Sequence, residues 1–229
     1  MPVDASGGSP RTAAGPALIF DMDGVMIDSN PAHREAWEVF NRRFGLETTE
    51  AMHQRMYGKR NDEIIRDFFG DLPPGEVAAR GAAKEVLYRE LIGERIESML
   101  VPGLRQFLER NTALPKALAS NAEPANIHFL LDRAALRPYF PVVVDGHQVR
   151  QPKPDPEIYL LAAALLGMAP ADCLVFEDSH AGVAAAQAAG MRVVGLLTTH
   201  RHLPGAAFTV DNFLNGDLQS WLRDQGRPK

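Results

Sequence analysis

The sequence predicts an α/β fold: a doubly wound parallel sheet core with an inserted α-helical subdomain. Short, almost continuously apolar runs predict the sheet, because strands buried on both faces of a parallel sheet lack polar alternation. Segments with helical patterns between these runs predict the winding. The four clearest strand candidates are ALIF (17–20), KALAS (116–120), CLVF (173–176) and RVVGL (192–196), and the two weaker ones are PVVV (141–144) and AFTV (207–210).

Helical patterns join these strands. They are PGLRQFLERN before residue 116, EPANIHFLLDRAAL after 120, DPEIYLLAAALLG after 154 and SHAGVAAAQAAG after 178. The small residues of the last segment would let its helix lie close to the sheet, and Gly190 would close that helix. This alternation of strand and helix is typical of the doubly wound class.

A long helical stretch interrupts the alternation after the first strand. Residues 29–99 contain helical segments separated by Gly or Pro and no convincing strand. The sequence therefore predicts a core made of residues 17–28 and 100–229, with a helical cap at 29–99. Residues 1–16 are rich in Gly, Pro, Ser and Ala, and they are expected to be a disordered lead-in.

Composition and charge exclude several classes of protein. The net charge of −5 does not favour nucleic-acid binding. The single cysteine, Cys173, excludes an intramolecular disulfide and a cysteine-based metal site. The N-terminus lacks the apolar region of a signal peptide, and the longest apolar stretch (158–168) is too short to span a bilayer. We therefore expect a cytoplasmic protein without nucleic-acid or membrane partners, and a monomer, since nothing indicates assembly.

Polar side chains follow the predicted strands at the edge where a doubly wound sheet binds its ligands. Such residues would form one cluster of carboxylates, a hydroxyl, an amide and a cation. Each also has a plainer explanation: an acidic turn, a helix N-cap, favourable acids at a helix start or a solvated loop lysine. The residues are Asp21 and Asp23 after ALIF, Ser120 and Asn121 after ALA, Lys153 in QPKPDP, and Glu177 and Asp178 after LVF.

Four motifs in this order resemble those of the haloacid dehalogenase superfamily. DMDGV resembles its first motif, ASN its second, the lysine of QPKPDPEIY its third and FEDS its fourth. The resemblance covers about residues 17–200, and the helical insertion is similar to the small α-helical cap of that family. The resemblance implies a Rossmann-like, Mg²⁺-dependent phosphatase whose substrate is a small phosphate ester.

The resemblance also implies a role for each residue. Asp21 would be the nucleophile that forms an aspartyl-phosphate. Asp23 would be the general acid for the leaving oxygen and then the base for water; the dehalogenase and phosphonatase branches lack this second aspartate. Lys153 would neutralise the nucleophile and the phosphoryl group, while Ser120 and amides near Asn121 would bond the phosphoryl oxygens.

Magnesium takes hard oxygen ligands and usually keeps several waters. By the same resemblance, Asp21, the backbone carbonyl of Asp23 and Asp178 would supply the protein ligands. Glu177 would help directly or through water.

The segment DSNPAHREAW resembles the branch of β-phosphoglucomutase and related sugar phosphatases. There, a histidine at the position of His33 helps the second aspartate manage its proton, although a surface histidine is the plainer reading. Cap residues in that branch reach the substrate, so Lys59 and Arg60 in YGKRNDE are candidates to bind a distal phosphate or carboxylate. They are equally readable as solvated charges.

The cap departs from the mutase at two positions. Tyr57 stands where that mutase carries a lysine, and Asn61 where it carries an arginine. Hydrolysis of a sugar phosphate is therefore the favoured function, with a β-phosphoglucomutase-like phosphotransferase as the alternative. A non-catalytic binding protein on the same fold is a third hypothesis, whose expected mark is a lost nucleophile or lysine.

Overall fold

The computed structural model describes residues 15–56 and 59–225. The lead-in expected at 1–16 falls outside these residues, apart from Gly15 and Pro16. In the described part of the chain, six strands form one parallel sheet in the order β3-β2-β1-β4-β5-β6. The doubly wound α/β fold is thus confirmed.

Each predicted strand is present, and three have bounds that differ by one residue from the expectation. The strands are β1 (Ala17–Phe20), β2 (Lys116–Ser120), β3 (Val142–Asp145), β4 (Cys173–Glu177), β5 (Arg192–Leu196) and β6 (Phe208–Val210). On β1, alternate side chains enter two separate apolar layers, Leu18 and Phe20 on one face and Ala17 and Ile19 on the other. All four are fully buried, which explains why the strand carries no polar alternation.

Helices cover both faces of the sheet. The core helices are α6 (Leu104–Arg110), α7 (Pro124–Arg133), α8 (Glu157–Leu166), α9 (His180–Ala188) and α10 (Leu218–Gln225). Helices α6, α7 and α10 contribute to the layer that contains Phe20, whereas α8 and α9 contribute to the layer that contains Ile19. The sequence analysis did not predict α10, which closes the first layer with Leu218 and Leu222.

Between β1 and β2 the chain forms five helices in its described residues: α1 (Asn30–Arg42), α2 (Glu50–Met56), α3 (Asn61–Phe69), α4 (Pro74–Ile92) and α5 (Ile96–Met99). A third apolar cluster, including Trp37, Phe40 and Ile65, lies among them. The chain crosses between sheet and helices at two adjacent points, where Asp28 N donates to Met99 O and Val101 N donates to Met26 O. We keep 29–99 as the proposed bounds of the cap.

The position of β1 determines where a ligand can bind. It lies between β2 and β4, so the chain order reverses there, and ligands of doubly wound sheets bind outside the carboxyl ends of the strands at this point. Among the helices of the described residues, none has the length and apolarity needed to cross a membrane.

Candidate active site

The carboxyl ends of β1, β2 and β4 bring together most of the residues selected from the sequence. Asp21 follows β1, and its backbone N–H donates to Phe176 O on β4 at 3.0 Å. Ser120 ends β2, while Glu177 ends β4 and is followed by Asp178. All four are buried, and burial of ionisable groups is costly unless they are paired or used.

Lys153 reaches the centre of this cluster from the loop before α8. Its Nζ donates to Asp21 Oδ1 at 2.6 Å, to Glu177 Oε1 at 2.8 Å and to the carbonyl of Ala119 at 3.1 Å. Burial alone would lower the pKa of Lys153, but the carboxylates of Asp21 and Glu177 outweigh burial and raise it. The amine therefore stays charged and lies against the proposed nucleophile.

Glu177 is fully engaged by hydrogen bonds. Oε1 accepts from Lys153 and, at 2.8 Å, from the hydroxyl of Tyr159. Oε2 accepts from the backbone N–H groups of Asp178 and Ser179 and from Ser179 Oγ, at 2.9 to 3.0 Å. Burial raises the pKa of Glu177, yet Lys153 and these donors lower it overall, so the carboxylate is charged. The arrangement fits an anchor for Lys153.

Asp178 has the opposite environment. Burial raises the pKa of Asp178, and the neighbouring carboxylates of Glu177 and Asp21 raise it further, against one hydrogen bond from Thr199 Oγ1. Burial similarly raises the pKa of Asp21 to about 7, against the pull of Lys153. Lys153 alone does not balance this much buried negative charge.

The unbalanced negative charge of these buried carboxylates fits a site for a divalent cation. Asp23 Oδ1 is buried without a hydrogen-bond partner, so the cluster also contains an oxygen with unused accepting capacity. No group of three or more His, Cys, Asp or Glu side chains in the described residues is placed to hold a metal. Two carboxylates, Asp21 and Asp178, with the carbonyl of Asp23 nevertheless suit Mg²⁺, which uses one or two carboxylates and keeps several waters.

A chain of polar groups leads from Asp23 into the cap. His33 Nε2 lies 3.8 Å from Asp23 Oδ1, and the imidazole stacks on Tyr88 with ring centroids 3.9 Å apart. On its other side, His33 Nδ1 lies 2.8 Å from Lys84 Nζ. Because an ammonium only donates, Nδ1 accepts and the proton of the neutral ring lies on Nε2, facing Asp23.

Lys84 and Glu85 form a buried ion pair at 2.8 Å on α4. Burial raises the pKa of Glu85, but Lys84 and the hydrogen bond from Asn126 outweigh it and lower the value to about 2. Burial lowers the pKa of Lys84, and Glu85 opposes that change. We take Glu85 as a carboxylate with Lys84 as its counterion, because a lone buried charge of either sign is costlier than the pair.

The remaining predicted residues lie at different distances from the chemistry. Ser120 Oγ accepts from Ala122 N at 3.3 Å. Ser120 follows Ala119, whose carbonyl accepts from Lys153 Nζ, and Asn121 Oδ1 accepts from Lys153 N at 3.4 Å, so both residues lie near Lys153. Lys59 and Arg60 are exposed, and in the described residues neither bonds to the carboxylate cluster. Arg60 instead lies 3.9 Å from Asp62. Tyr57 lies outside the described residues.

Sequence reasoning missed four residues around the site. Thr199 follows β5 and bonds Asp178, so extending the strand-end rule to β5 would have found it. Tyr159 lies in an apolar helical run, and Lys84 with Glu85 reads as an exposed helical pair. No sequence signal distinguishes these three from ordinary helix residues.

Comparisons with known proteins agree with this geometry. Residues 16–190 match the family model "haloacid dehalogenase-like hydrolase". A "phosphorylated carbohydrates phosphatase" of Thermotoga maritima is 35% identical over 189 residues, which are 79% of this chain and 85% of that protein. The β-phosphoglucomutase of Bacillus subtilis is 33% identical over 191 residues, 79% of this chain and 82% of the mutase.

Among solved structures, the β-phosphoglucomutase of Clostridium difficile superposes with a TM-score of 0.78 at 25% identity. The match covers 92% of this chain and 98% of the mutase. The relatives therefore include both a phosphatase and a phosphoglucomutase.

Proposed function

The chain belongs to the haloacid dehalogenase-like hydrolases, and from that premise we propose that it is a Mg²⁺-dependent phosphatase that hydrolyses a small sugar phosphate through an aspartyl-phosphate. It is an enzyme acting on phosphate esters, so the non-catalytic hypothesis is set aside. The observation that carries the proposal is the contact of Lys153 Nζ with Asp21 Oδ1 at 2.6 Å, beside the unpartnered Oδ1 of Asp23.

Asp21 attacks the phosphorus of the bound ester, and the P–O bond to the sugar oxygen breaks. Lys153 lies against the attacking oxygen and balances the charge of the phosphoryl group as it moves. Asp23 protonates the leaving sugar oxygen, then takes a proton from the water that hydrolyses the aspartyl-phosphate. Ser120 and the backbone near Asn121 border the same space and would bond the phosphoryl oxygens.

Asp21, the carbonyl of Asp23 and Asp178 would hold Mg²⁺, which would offset the repulsion between the carboxylates and the phosphoryl oxygens. Glu177 is proposed to act through its hydrogen bonds rather than as a metal ligand. It orients Lys153 and, through Ser179, the start of α9. His33 would support Asp23 through the imidazole proton that faces it.

The hydrogen bond made by the Asn61 side chain favours hydrolysis over phosphate transfer between two sugar positions. Asn61 occupies the position where the mutase carries an arginine, and its Nδ2 donates to Glu85 Oε1 at 2.6 Å. The side chain is thus committed to the buried ion pair. Lys59 and Arg60 are exposed and do not bond the carboxylate cluster, so neither replaces the mutase arginine as a ligand for a second phosphate there.

The proposal is tested by ³¹P NMR of wild type and Asp21→Asn. The mixture contains Mg²⁺, β-glucose 1-phosphate, a trace of glucose 1,6-bisphosphate and several sugar 6-phosphates. Inorganic phosphate that grows with wild type only supports a phosphatase using Asp21. Glucose 6-phosphate that grows from the 1-phosphate, with little inorganic phosphate, would establish the mutase alternative.

A further inference from the structure

Asn126 connects the catalytic core to the cap through both ends of its side-chain amide. It lies in the first turns of α7, in the core, and is 4% exposed. Its Nδ2 donates to Glu85 Oε2 at 2.6 Å, while its Oδ1 accepts from Arg89 Nη1 at 2.7 Å. Glu85 and Arg89 are four residues apart on α4, so one amide spans one turn of a cap helix.

We infer that Asn126 is a positioning residue that latches the cap over the active site by bridging Glu85 and Arg89. The inference deepens the proposed function and rests on it only for its effect on catalysis. Among the described residues, other polar contacts between the cap helices and the core, such as Asn30–Thr199 and Glu97–Arg105, lie beside the chain crossings. Asn126 instead contacts Glu85 on α4, and these two residues are 41 positions apart in the chain.

Glu85, which bonds Asn126, also contacts the residues that face Asp23. Glu85 Oε1 accepts from Lys84 Nζ at 2.8 Å, and Lys84 contacts His33, whose Nε2 faces Asp23. One carboxylate therefore joins the core amide on one oxygen to the Lys84–His33 pair on the other. The contacts of Glu85 that hold the cap against α7 therefore also orient His33 toward Asp23.

A side-chain amide suits both partners of position 126. A carboxylate partner needs a donor, and a guanidinium partner needs an acceptor, and the amide supplies both. Aspartate has nearly the same shape and would keep the bond to Arg89, but it would place a second carboxylate against Glu85. Two like charges at hydrogen-bond distance in a buried site repel strongly, so Asn126→Asp should release the cap.

The experiment measures the distance between cap and core directly by pulsed electron spin resonance. Spin labels are attached at Ala79→Cys on α4 and Ala171→Cys in the core, both exposed positions. Native Cys173 is buried and stays unlabelled.

The doubly labelled proteins are compared without ligand. They are wild type, Asn126→Asp, the exchange Glu85→Gln with Asn126→Asp, and Asn215→Asp. Asn215 is a matched control, because its Oδ1 accepts only from backbone N–H groups, at 3.0 and 3.2 Å.

Asn126→Asp is expected to broaden the distance distribution and shift it away from that of wild type, while Asn215→Asp leaves it unchanged. The exchange is expected to restore the wild-type distribution, because the new amide at position 85 can donate to the new carboxylate at position 126 and accept from Lys84. An unchanged distribution in Asn126→Asp, or no restoration in the exchange, would overturn the latch. If Asn126→Asp does not fold, Arg89→Met removes one bond from a half-buried side chain and should give a smaller broadening.

Kinetics separate the latch from the proposed function. With a sugar phosphate that wild type hydrolyses, Asn126→Asp should lower kcat/KM about 10- to 100-fold, and the exchange should recover most of it. A wild type that hydrolyses no phosphate ester would refute the proposed function, whereas the distance result would still stand or fall on its own.

Discussion

Replacing Gly182 by alanine separates two opposing effects that the structure allows to be compared. In an ordinary helix the change would stabilise the protein by up to about 1 kcal/mol, because glycine is a poor helix former. Gly182 is the third residue of α9, however, and a methyl group there would overlap the carboxylate of Glu177. That carboxylate is the end of a flexible side chain, so it would have to swing away.

Moving Glu177 breaks the hydrogen bonds that hold it. They include those from Lys153 and Tyr159, each at 2.8 Å. Hydrogen bonds to charged groups contribute about 1.5–3 kcal/mol each, so losing two of them outweighs the gain in helix propensity. We expect Gly182→Ala to lower the free energy of unfolding by about 2–5 kcal/mol and to lower kcat, because Lys153 loses one of its two carboxylates.

Urea denaturation followed by circular dichroism measures the first effect, and phosphate release measures the second. Gly81→Ala on α4 is the matched control. A methyl group there meets Asn61 Cβ at 3.5 Å and Ile65 Cδ1 at 3.6 Å, which are ordinary contacts, so this change should be neutral or stabilising by up to about 1 kcal/mol. If both substitutions stabilise the protein equally, the hydrogen bonds of the Glu177 carboxylate do not have the stabilising role assigned to them.

Three further predictions concern the site and the core. Asp178→Asn should stabilise the metal-free protein, since it removes one of several buried like charges, and should abolish the rise in unfolding temperature that Mg²⁺ gives wild type in a thermal-shift assay. Lys153→Met should lower kcat by about 10²-fold or more in a phosphate-release assay, with less than tenfold loss contradicting its role. Burial raises the pKa of the Cys173 thiol to about 11, so Ellman's reagent at pH 8 should label the denatured chain fully and the native protein hardly at all.

The sequence could predict the sheet because the physical cause of each strand is local. Runs such as ALIF and CLVF are apolar on both faces, and the structure buries both faces. The strand-end rule then selects Asp21, Ser120 and Asp178, since parallel strands deliver their carboxyl ends to one edge. The same rule selects Thr199 if it is applied to β5.

The cap side of the site could not be predicted in this way. Lys84 and Glu85 are adjacent on a helix, a pattern typical of solvated surfaces, and only the packing of α4 against α1, α3 and α7 buries them. Asn61 and Asn126 have roles that depend on that same packing. By contrast, Lys59 and Arg60 attract attention in the sequence, yet the structure leaves them exposed.

The central claim is that Asp21 carries the phosphoryl group, and trapping that intermediate tests it most directly. Wild type is mixed with a sugar phosphate and Mg²⁺, quenched in acid within milliseconds, reduced with borohydride and digested for mass spectrometry. Borohydride converts an aspartyl-phosphate to homoserine, so the account predicts homoserine at residue 21 in wild type, with more accumulating in Asp23→Asn if hydrolysis slows more than transfer. Turnover with no modification at residue 21, or with modification at another residue, would contradict the account.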